Sequence, residues 1–471
     1  MSTKRLALVG LIAIFAAVGA SSASAKTTLR VTWMRGVSAR ATPAKYDRVG
    51  VIKVGPRSAK NVLVLEPGTS AGGAYFVPLA QWLVRTLPGW QVWSIERREN
   101  LLEDQSLLTP AKQGKDGPQA VFDYYLGYLT NPSIKRHVQN VADSKVQFAK
   151  QWGTSVAVGD MHRVIQAAKK LGGKVVLGGH SLGGSLVTAY ATWNFGGRPG
   201  ATDLAGLVFD DGAGAGKPGS AQDATNALET LRSPSTSPWL PFGFPAPFLG
   251  LYGSTGALAA YTFPNQPSIG QTFSLLPSAL NPGVRVTNLA LFAYNTNVST
   301  SKLTTLNAGG FAFLAHLGKG IATKQFSGAR AWDASGALTP VRRWAAMLSG
   351  PDVANADGVE WYFPDRLFVE SLQLGAIDQG NANAAQQALG LKSTMGHRLP
   401  RRLLMYAFGA FGGKGITAAT SQLAKQSNIP GRNLTLVSRQ GIYAHNDPAG
   451  AYPRNVFFTN LVKFLKKVGR G

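Results

Sequence analysis

The sequence contains no cysteine, and this absence excludes several kinds of protein at once. Without thiols there is no disulfide framework, no cysteine-ligated zinc and no cysteine nucleophile. Acidic residues are also scarce, because 23 Asp and Glu stand against 48 Lys and Arg, and the net charge is +25. Only 15% of the 471 residues are charged and 45% are hydrophobic, so the chain has enough apolar side chains for a large core and is not a disordered protein.

Long apolar runs are missing except near the N-terminus. Lys4 and Arg5 precede an apolar run over 6–18, and small residues follow as far as Ala25. A basic start, a short apolar run and an A-x-A ending are typical of a secretory signal peptide, whereas an uncleaved anchor is the alternative. We predict cleavage after Ala25, which removes Lys4 and Arg5 and lowers the net charge from +25 to +23. With no later membrane helix in the sequence, we expect a soluble, secreted protein.

Metal-binding and nucleic-acid-binding motifs are also missing. The six histidines form no H-E-x-x-H motif and no close pair, so we expect no metal site. Basic clusters occur at 342–343, 397–402 and 463–470. Their ordinary interpretation is a solvated surface, and the functional alternative is attraction to an anionic cell-envelope surface. No nucleic-acid module is present, and we expect no nucleic-acid partner.

Short β-branched runs alternate with helical patterns in two blocks of the chain. Strand-like runs occur at 48–54, 62–65, 91–95, 175–177, 204–209, 403–408 and 434–437. Helical spacing of apolar residues occurs at 76–87, 161–171 and 454–467. The run at 48–54 alternates apolar and polar residues, as a half-exposed antiparallel strand does, whereas the runs at 62–65 and 175–177 are continuously apolar, as buried strands are. The alternation predicts an α/β protein with a mostly parallel central sheet flanked by helices.

The residues between the two blocks have a different composition. Five prolines between 234 and 247 alternate with Trp239, Phe242, Phe244 and Phe248, and such a stretch is neither a regular helix nor a central strand. A helix is predicted to begin after Thr339-Pro340 and to run through Leu348. We predict a signal peptide over 1–25, a core over 26–213 and 396–471, and a large inserted cap domain over 214–395. The four aromatic residues are predicted to form a lid or part of an apolar substrate pocket.

The strongest chemical motif is Gly179-His180-Ser181-Leu182-Gly183, which follows a buried strand and precedes a helix of small residues. A sharp turn from strand to helix lifts the serine hydroxyl above the sheet, and the glycines permit the tight backbone. The N–H group of Leu182 then faces an oxyanion that develops on the substrate.

This motif resembles the nucleophile elbow of the α/β-hydrolase superfamily, in its serine esterase and lipase-like branch. The resemblance covers both core blocks and does not extend to the cap. It implies the α/β-hydrolase fold, an acyl-enzyme mechanism and no cofactor. It also implies a second oxyanion donor after the third strand, where Thr69 is the donor by position, although Pro67 stands where the family often has histidine.

The resemblance places the general base after the last strand and the acid after an earlier one. His445 lies in that final loop and is the only histidine after residue 397. The family's frequent acid position, within 403–414, contains no carboxylate, but Asp210 and Asp211 end the preceding core strand. Successive residues point to opposite sides, and we favour Asp211 because Gly212 lets the chain turn, whereas Asp210 is expected to cap the loop. Alternatives for the acid are Glu103, Asp104, Asp378 and Asp447.

The sequence therefore predicts an exported serine hydrolase that cleaves carboxylic esters, either small molecules or lipids. An acyltransferase, a thioesterase or an amidase with the same triad is an alternative. A further alternative is a non-catalytic envelope-binding protein on a hydrolase scaffold, against which the complete set of Ser181, His445 and a carboxylate argues.

Overall fold

A single eight-stranded sheet organises the protein in this computed structural model, which describes residues 28–213, 220–241, 245–302, 314–372 and 383–470. Its strands are β1 (Leu29–Arg35), β2 (Arg48–Val54), β3 (Asn61–Glu66), β4 (Trp90–Glu96), β5 (Val175–His180), β8 (Gly206–Asp210), β11 (Leu404–Gly409) and β12 (Leu434–Ser438). Two separate two-stranded sheets are formed by β6 (Asn194–Phe195) with β7 (Arg198–Pro199) and by β9 (Gly320–Phe326) with β10 (Ala329–Asp333).

The sheet order is β1-β2-β4-β3-β5-β8-β11-β12. Strand β2 is antiparallel to both of its neighbours, and the pairs from β4 to β12 are all parallel. A mostly parallel sheet with a strand–serine–helix elbow at its centre is the α/β-hydrolase fold, so the predicted fold class is confirmed.

Helices connect the strands and cover both faces of the sheet. Those of the described residues are α1 (Val77–Thr86), α2 (Leu108–Lys112), α3 (Pro118–Tyr125), α4 (Thr154–Lys169), α5 (Leu182–Thr192), α6 (Ala221–Arg232), α7 (Phe248–Thr262), α8 (Asn288–Thr296), α9 (Val341–Ser349), α10 (Asp365–Leu372), α11 (Ala384–Leu389), α12 (Gly413–Gln426), α13 (Asp447–Gly450) and α14 (Val456–Arg470). None of these helices combines the length and the apolarity that crossing a membrane requires.

The two faces of the sheet belong to two separate hydrophobic clusters. In β3, Val62 and Val64 pack with α4 and α5, whereas Leu63 and Leu65 pack with α1 and α14. This division follows from the strand geometry, in which successive side chains point to opposite faces. The bounds and the antiparallel pairing of β2 are as predicted, but its exposure is not. Its residues 49–52 are all buried rather than half-exposed, because both faces carry helices.

The described residues of the inserted segment 214–395 share hydrophobic clusters with the core of the protein. Trp344 of α9 belongs to the same hydrophobic cluster as Leu65 of β3. A third cluster joins Trp152, which precedes α4, to Trp239 of the inserted segment, with ring centroids 6.3 Å apart. Residues 102–152, assigned above to the first part of the core, thus share a cluster with the inserted segment, and the domain boundaries stay a prediction.

Several local predictions for this segment can be compared with the structure. The helix expected from Pro340 to Leu348 is α9. The proline-rich stretch has no helix or strand in its described residues apart from one isolated bridge between Trp239 and Pro364. Phe242 and Phe244 lie outside the described residues, as do the predicted signal peptide and Asp378.

Candidate active site

Ser181 occupies a strained turn between β5 and α5. Its φ of 55° and ψ of −128° are rare for a residue with a side chain, and such strain is often found at functional sites. The turn is held by the Ser181 N–H, which donates to the carbonyl of Asp210 at 3.0 Å. The glycines are required because the backbones touch: a Cβ on Gly179 would lie 2.3 Å from the carbonyl oxygen of Gly183. The predicted elbow is therefore present.

Asp211 and His445 form a buried hydrogen-bonded pair beside this turn. The Nδ1 of His445 lies 2.6 Å from Oδ2 of Asp211, and the two residues are 5% and 4% exposed. The chain leaves β8 through a left-handed turn at Asp211 itself, whose φ is 45°. Gly212 serves a different purpose from the one expected, since its Cβ would lie 1.9 Å from the carbonyl oxygen of Ser181. The structure thus brings the preferred carboxylate to the predicted base.

Three backbone groups of the loop after β11 stabilise the Asp211 carboxylate. The N–H groups of Ala410, Phe411 and Gly412 donate to it at 2.7, 3.0 and 2.9 Å. Burial opposes ionisation, but the hydrogen bond from His445 and the electrostatic effect of this imidazole hold the pKa of Asp211 below its ordinary value. Asp211 is therefore ionised at neutral pH, as a carboxylate that orients an imidazole must be.

Asp210 lies on the opposite side of the strand end and has no comparable support. Neither of its carboxylate oxygens has a hydrogen-bond partner among the described residues. Burial, together with the charge of Asp211, raises the pKa of Asp210 well above its ordinary value. The expectation that its side chain caps the loop was wrong, because the strand end carries Asp210 into the core below the elbow.

We expect the substitution Asp210→Asn to raise stability at neutral pH by about 1–3 kcal/mol, because the amide removes the cost of ionising a buried carboxyl. The pKa of Asp210 is higher in the folded than in the unfolded chain, so its stability penalty is absent below about pH 4 and grows as the pH rises. Thermal unfolding at pH 4 and pH 7 measures this. A stabilisation of equal size at both pH values would contradict it.

A small cavity of about 20 Å³ joins these residues. Its lining includes Ser181, His445 and Thr69, together with Tyr75 and Trp344. The loop after β3 lies against the elbow, because a Cβ on Gly68 would be 2.9 Å from the Cβ of Ser181. Three of the sequence-predicted residues therefore share one cavity, and Leu182 is the first residue of α5, directly after the serine.

His180, the variable position of the motif, supports the base. Its ring stacks on Tyr75 at 5.1 Å, and its Nε2 lies 2.9 Å from the backbone carbonyl of His445. The carbonyl can only accept, so Nε2 of His180 carries a proton. Burial and the proximity of His445 lower the pKa of His180 to about 3, which keeps His180 neutral across the physiological range.

Arg97 holds the loop after β3 and is not among the site residues predicted from the sequence. Its guanidinium donates to the carbonyls of Pro67 at 3.0 Å, Gly68 at 2.9 Å and Ala71 at 3.0 Å, and so grips the loop that carries Thr69. It also pairs with three buried carboxylates, those of Glu66, Glu99 and Glu360. Although burial works against its charge, Glu360 and Glu66 raise the pKa of Arg97 above its ordinary value. No sequence motif identifies an arginine after a strand as a residue that holds a neighbouring loop.

The alternative carboxylates have other partners. Asp447 accepts from the Thr339 hydroxyl at 2.8 Å and the Ala444 N–H at 2.7 Å, and lies 2.6 Å from Nδ1 of His316. It therefore anchors the loop that precedes His445. Glu103 accepts from the N–H of Trp361, and Asp104 from the hydroxyl of Tyr124.

The described aromatic residues of the predicted lid lie away from the small cavity. Trp239 is 2% exposed and packs on Tyr362 at 5.2 Å, and Phe248 stacks on Phe273 at 6.3 Å. Neither lines the cavity at Ser181, and their role in a substrate pocket stays a prediction. Among the described residues, no group of three or more acidic or histidine side chains is arranged to hold a metal ion.

The sequence matches no protein-family model and no curated protein. Solved structures similar to this chain include a proposed lipase from Sulfolobus solfataricus, at 16% identity and a TM-score of 0.44, with 93% of each chain covered. A soluble variant of monoglyceride lipase from Saccharomyces cerevisiae is 10% identical, with a TM-score of 0.40 and coverage of 94% and 97%. A carboxyl esterase from Bacillus coagulans is 9% identical, with a TM-score of 0.39 and coverage of 94% and 99%. Similarities this low say nothing about activity. The fold is therefore argued from the sheet order, and the candidate site from the geometry around Ser181.

Proposed function

We propose that the protein is a serine hydrolase that cleaves carboxylic esters through an acyl-enzyme. The observation that carries the proposal is the buried hydrogen bond of 2.6 Å between His445 and Asp211, at a cavity that also contains the strained Ser181. A nucleophile, a base and a group that orients the base are the parts that acyl transfer to serine requires.

In the proposed reaction, Ser181 Oγ attacks the ester carbonyl carbon while Nε2 of His445 takes the hydroxyl proton. Asp211 accepts the Nδ1–H of His445, which leaves the lone pair on Nε2 and stabilises the imidazolium that forms. The N–H groups of Thr69 and Leu182 are proposed to hold the oxyanion. His445 then returns the proton to the departing alcohol, and water repeats the sequence on the acyl-enzyme.

A fluorophosphonate probe followed by peptide mass spectrometry tests this proposal. The probe should modify Ser181 and no other serine, because only an activated serine reacts with it. A chain that hydrolyses no p-nitrophenyl ester and takes up no probe would contradict the proposal and favour the non-catalytic envelope-binding alternative. Parallel thioester, amide and acyl-acceptor assays separate ester hydrolysis from the other reactions that use the same triad.

We expect Arg97→Lys to lower kcat about 10- to 100-fold with little change in KM. Lysine keeps the charge beside Glu66 and Glu360, but its single nitrogen cannot hold three loop carbonyls in the geometry of a guanidinium, and small displacements of oxyanion donors are costly. Steady-state kinetics with p-nitrophenyl butyrate and thermal unfolding measure the two effects.

Arg98→Lys is the matched control for that experiment. Arg98 is also buried and pairs with Asp160 and Asp47, but it donates to none of the loop carbonyls that Arg97 holds. Both variants should lose stability, and only Arg97→Lys should lose kcat. Equal losses of kcat in the two variants would assign Arg97 a structural role alone.

We also propose that the protein is exported after cleavage behind Ala25. The support is the sequence pattern over 1–25, a basic start followed by an apolar run and small residues. Expression of the full chain and N-terminal sequencing of the protein recovered outside the cytoplasm test this, with Lys26 expected as the first residue.

A further inference from the structure

A second and larger cavity lies among the helices behind the candidate active site. Its volume is about 90 Å³, against about 20 Å³ for the cavity at Ser181. Helices α3, α7 and α8 form most of its wall, together with residues 268–270. A cavity of this kind costs stability when it is empty, so a ligand that fills it gains the contacts that the core lacks.

The lining of this large cavity favours a neutral aliphatic ligand. Most of its side chains are apolar, and the lining threonines direct their hydroxyls to carbonyls of their own helices. Thr255 donates to the carbonyl of Leu251 at 2.7 Å and Thr262 to that of Leu258 at 2.6 Å. Among the described residues, the lining contains no Lys or Arg, and Asp116 is the only charged residue in it. A free carboxylate would therefore have no cationic partner there, whereas an uncharged hydrocarbon chain needs none.

The large cavity and the small cavity at Ser181 share a layer of lining side chains. Leu348 of α9 lines both of them, and the adjacent residues Gly358 and Val359 line the catalytic and the large cavity respectively. Trp344 lines the catalytic side, and its indole N–H donates at 3.1 Å to the hydroxyl of Thr296, which lines the large cavity. The hydrocarbon tail of an acyl group bound at Ser181 would thus have to pass only this layer to reach the large cavity.

We propose that the large cavity is the binding chamber for the acyl chain, and that the substrates are esters of medium- or long-chain aliphatic acids. This inference rests on the proposed ester hydrolysis and adds its substrate class. The chamber receives the hydrocarbon tail beyond Leu348, while Ser181 and His445 act on the carbonyl. Each methylene moved from water into the chamber raises kcat/KM about fourfold.

Gly256 of α7 offers a direct test, because it lines the chamber and a Cβ built on it would meet no atom within 4 Å. A leucine side chain there would occupy the space of about three methylenes, so Gly256→Leu should lose kcat/KM on p-nitrophenyl decanoate by on the order of 50-fold. Turnover of p-nitrophenyl acetate and the rate of fluorophosphonate labelling should not change. Gly256→Ala should give a smaller loss in the same direction, and it keeps the test decisive if the leucine variant does not fold.

Gly415→Leu is the matched control, because Gly415 is an exposed helical glycine of α12 whose Cβ would also meet no atom within 4 Å. It should leave the whole chain-length series unchanged. Binding of 1-decanol, a neutral chain that is not hydrolysed, provides a readout independent of catalysis. Calorimetry should show tight binding to the unsubstituted protein and to Gly415→Leu, and weakened binding to Gly256→Leu.

The outcomes separate this inference from the proposed function. Turnover of acetate and decanoate with the same ratio in Gly256→Leu, Gly256→Ala and the unsubstituted protein would overturn the chamber and leave ester hydrolysis standing. A second outcome is that no ester is hydrolysed, while decanol binds to the unsubstituted protein but not to Gly256→Leu. This outcome would overturn ester hydrolysis and with it the acyl role of the cavity. A selective loss on decanoate together with weakened decanol binding supports both.

Discussion

The Ser181→Ala variant should lose both ester turnover and fluorophosphonate labelling, by about 10⁶-fold in kcat, the loss seen when a serine nucleophile is removed from a triad. Ser70 also has a positive φ and lines the same cavity, but it lies in the loop after β3, whereas Ser181 lies directly at the turn between β5 and α5. Stopped assays with p-nitrophenyl butyrate and gel-based labelling measure the two losses. The unfolding temperature should change little, because the strain lies in the backbone and the hydroxyl packs against no core.

Ser185→Ala is the matched control, since Ser185 lies one turn further along α5 and outside the small cavity. It should keep full turnover and full labelling. Labelling of Ser181→Ala at the rate of the unsubstituted protein would remove Ser181 from the role of nucleophile and redirect the search to another residue.

Asp211→Asn should lower kcat by about 10⁴-fold, as the same substitution does in the serine-protease example. Oδ2 of Asp211 accepts from the Phe411 N–H and faces His445, while Oδ1 accepts from Ala410 and Gly412. An asparagine keeps its single oxygen where two N–H groups point and so turns its NH₂ toward His445. The imidazole then accepts at Nδ1 and carries its proton on Nε2, the position that must take the serine proton.

Asp210→Asn is the neighbouring control for that experiment, and it should keep most of the activity. The side chain of Asp210 is buried and forms no hydrogen bond to His445 or to the loop after β11. Measurement of kcat and KM for both variants decides between the two carboxylates. Circular dichroism should confirm that Asp211→Asn is folded. Two active variants would place the acid elsewhere, and an inactive Asp210→Asn beside an active Asp211→Asn would reverse the assignment.

Much of the fold could be predicted from the sequence because its signals are local. The run at 48–54 coincides with the full length of β2. The elbow is formed by consecutive residues, and its glycines allow the backbone segments to come into contact. The position of Asp211 was also accessible, since two carboxylates end one buried strand and only one of them can turn toward the loop of His445. Alternation, glycine spacing and strand ends are properties that a short window contains.

The remainder depends on contacts between distant parts of the chain. Arg97 meets Glu360, which is 263 residues away, and no local pattern announces that pair. No helix is predicted above for the residues of α7, and its three glycines each lower the intrinsic helix stability by about 1 kcal/mol relative to alanine. Its stability comes from packing: Gly250 lies so close to Trp361 that a Cβ would be 2.6 Å from the Trp361 Cα. Packing of this kind is a property of the assembled protein and not of a sequence window.

The contact between Arg97 and Glu360 has a consequence for protein engineering. Glu360 belongs to the inserted segment, yet its carboxylate is fully buried and neutralises the guanidinium that holds the loop of Thr69. A chimera that exchanges the inserted segment for that of another protein would remove one of the three carboxylates that pair with Arg97, and breaking a buried ion pair costs about 3–5 kcal/mol. A segment transplanted onto this core therefore needs an acidic residue at the position of Glu360. Without it, the loop that carries Thr69 loses support, whatever specificity the new segment brings.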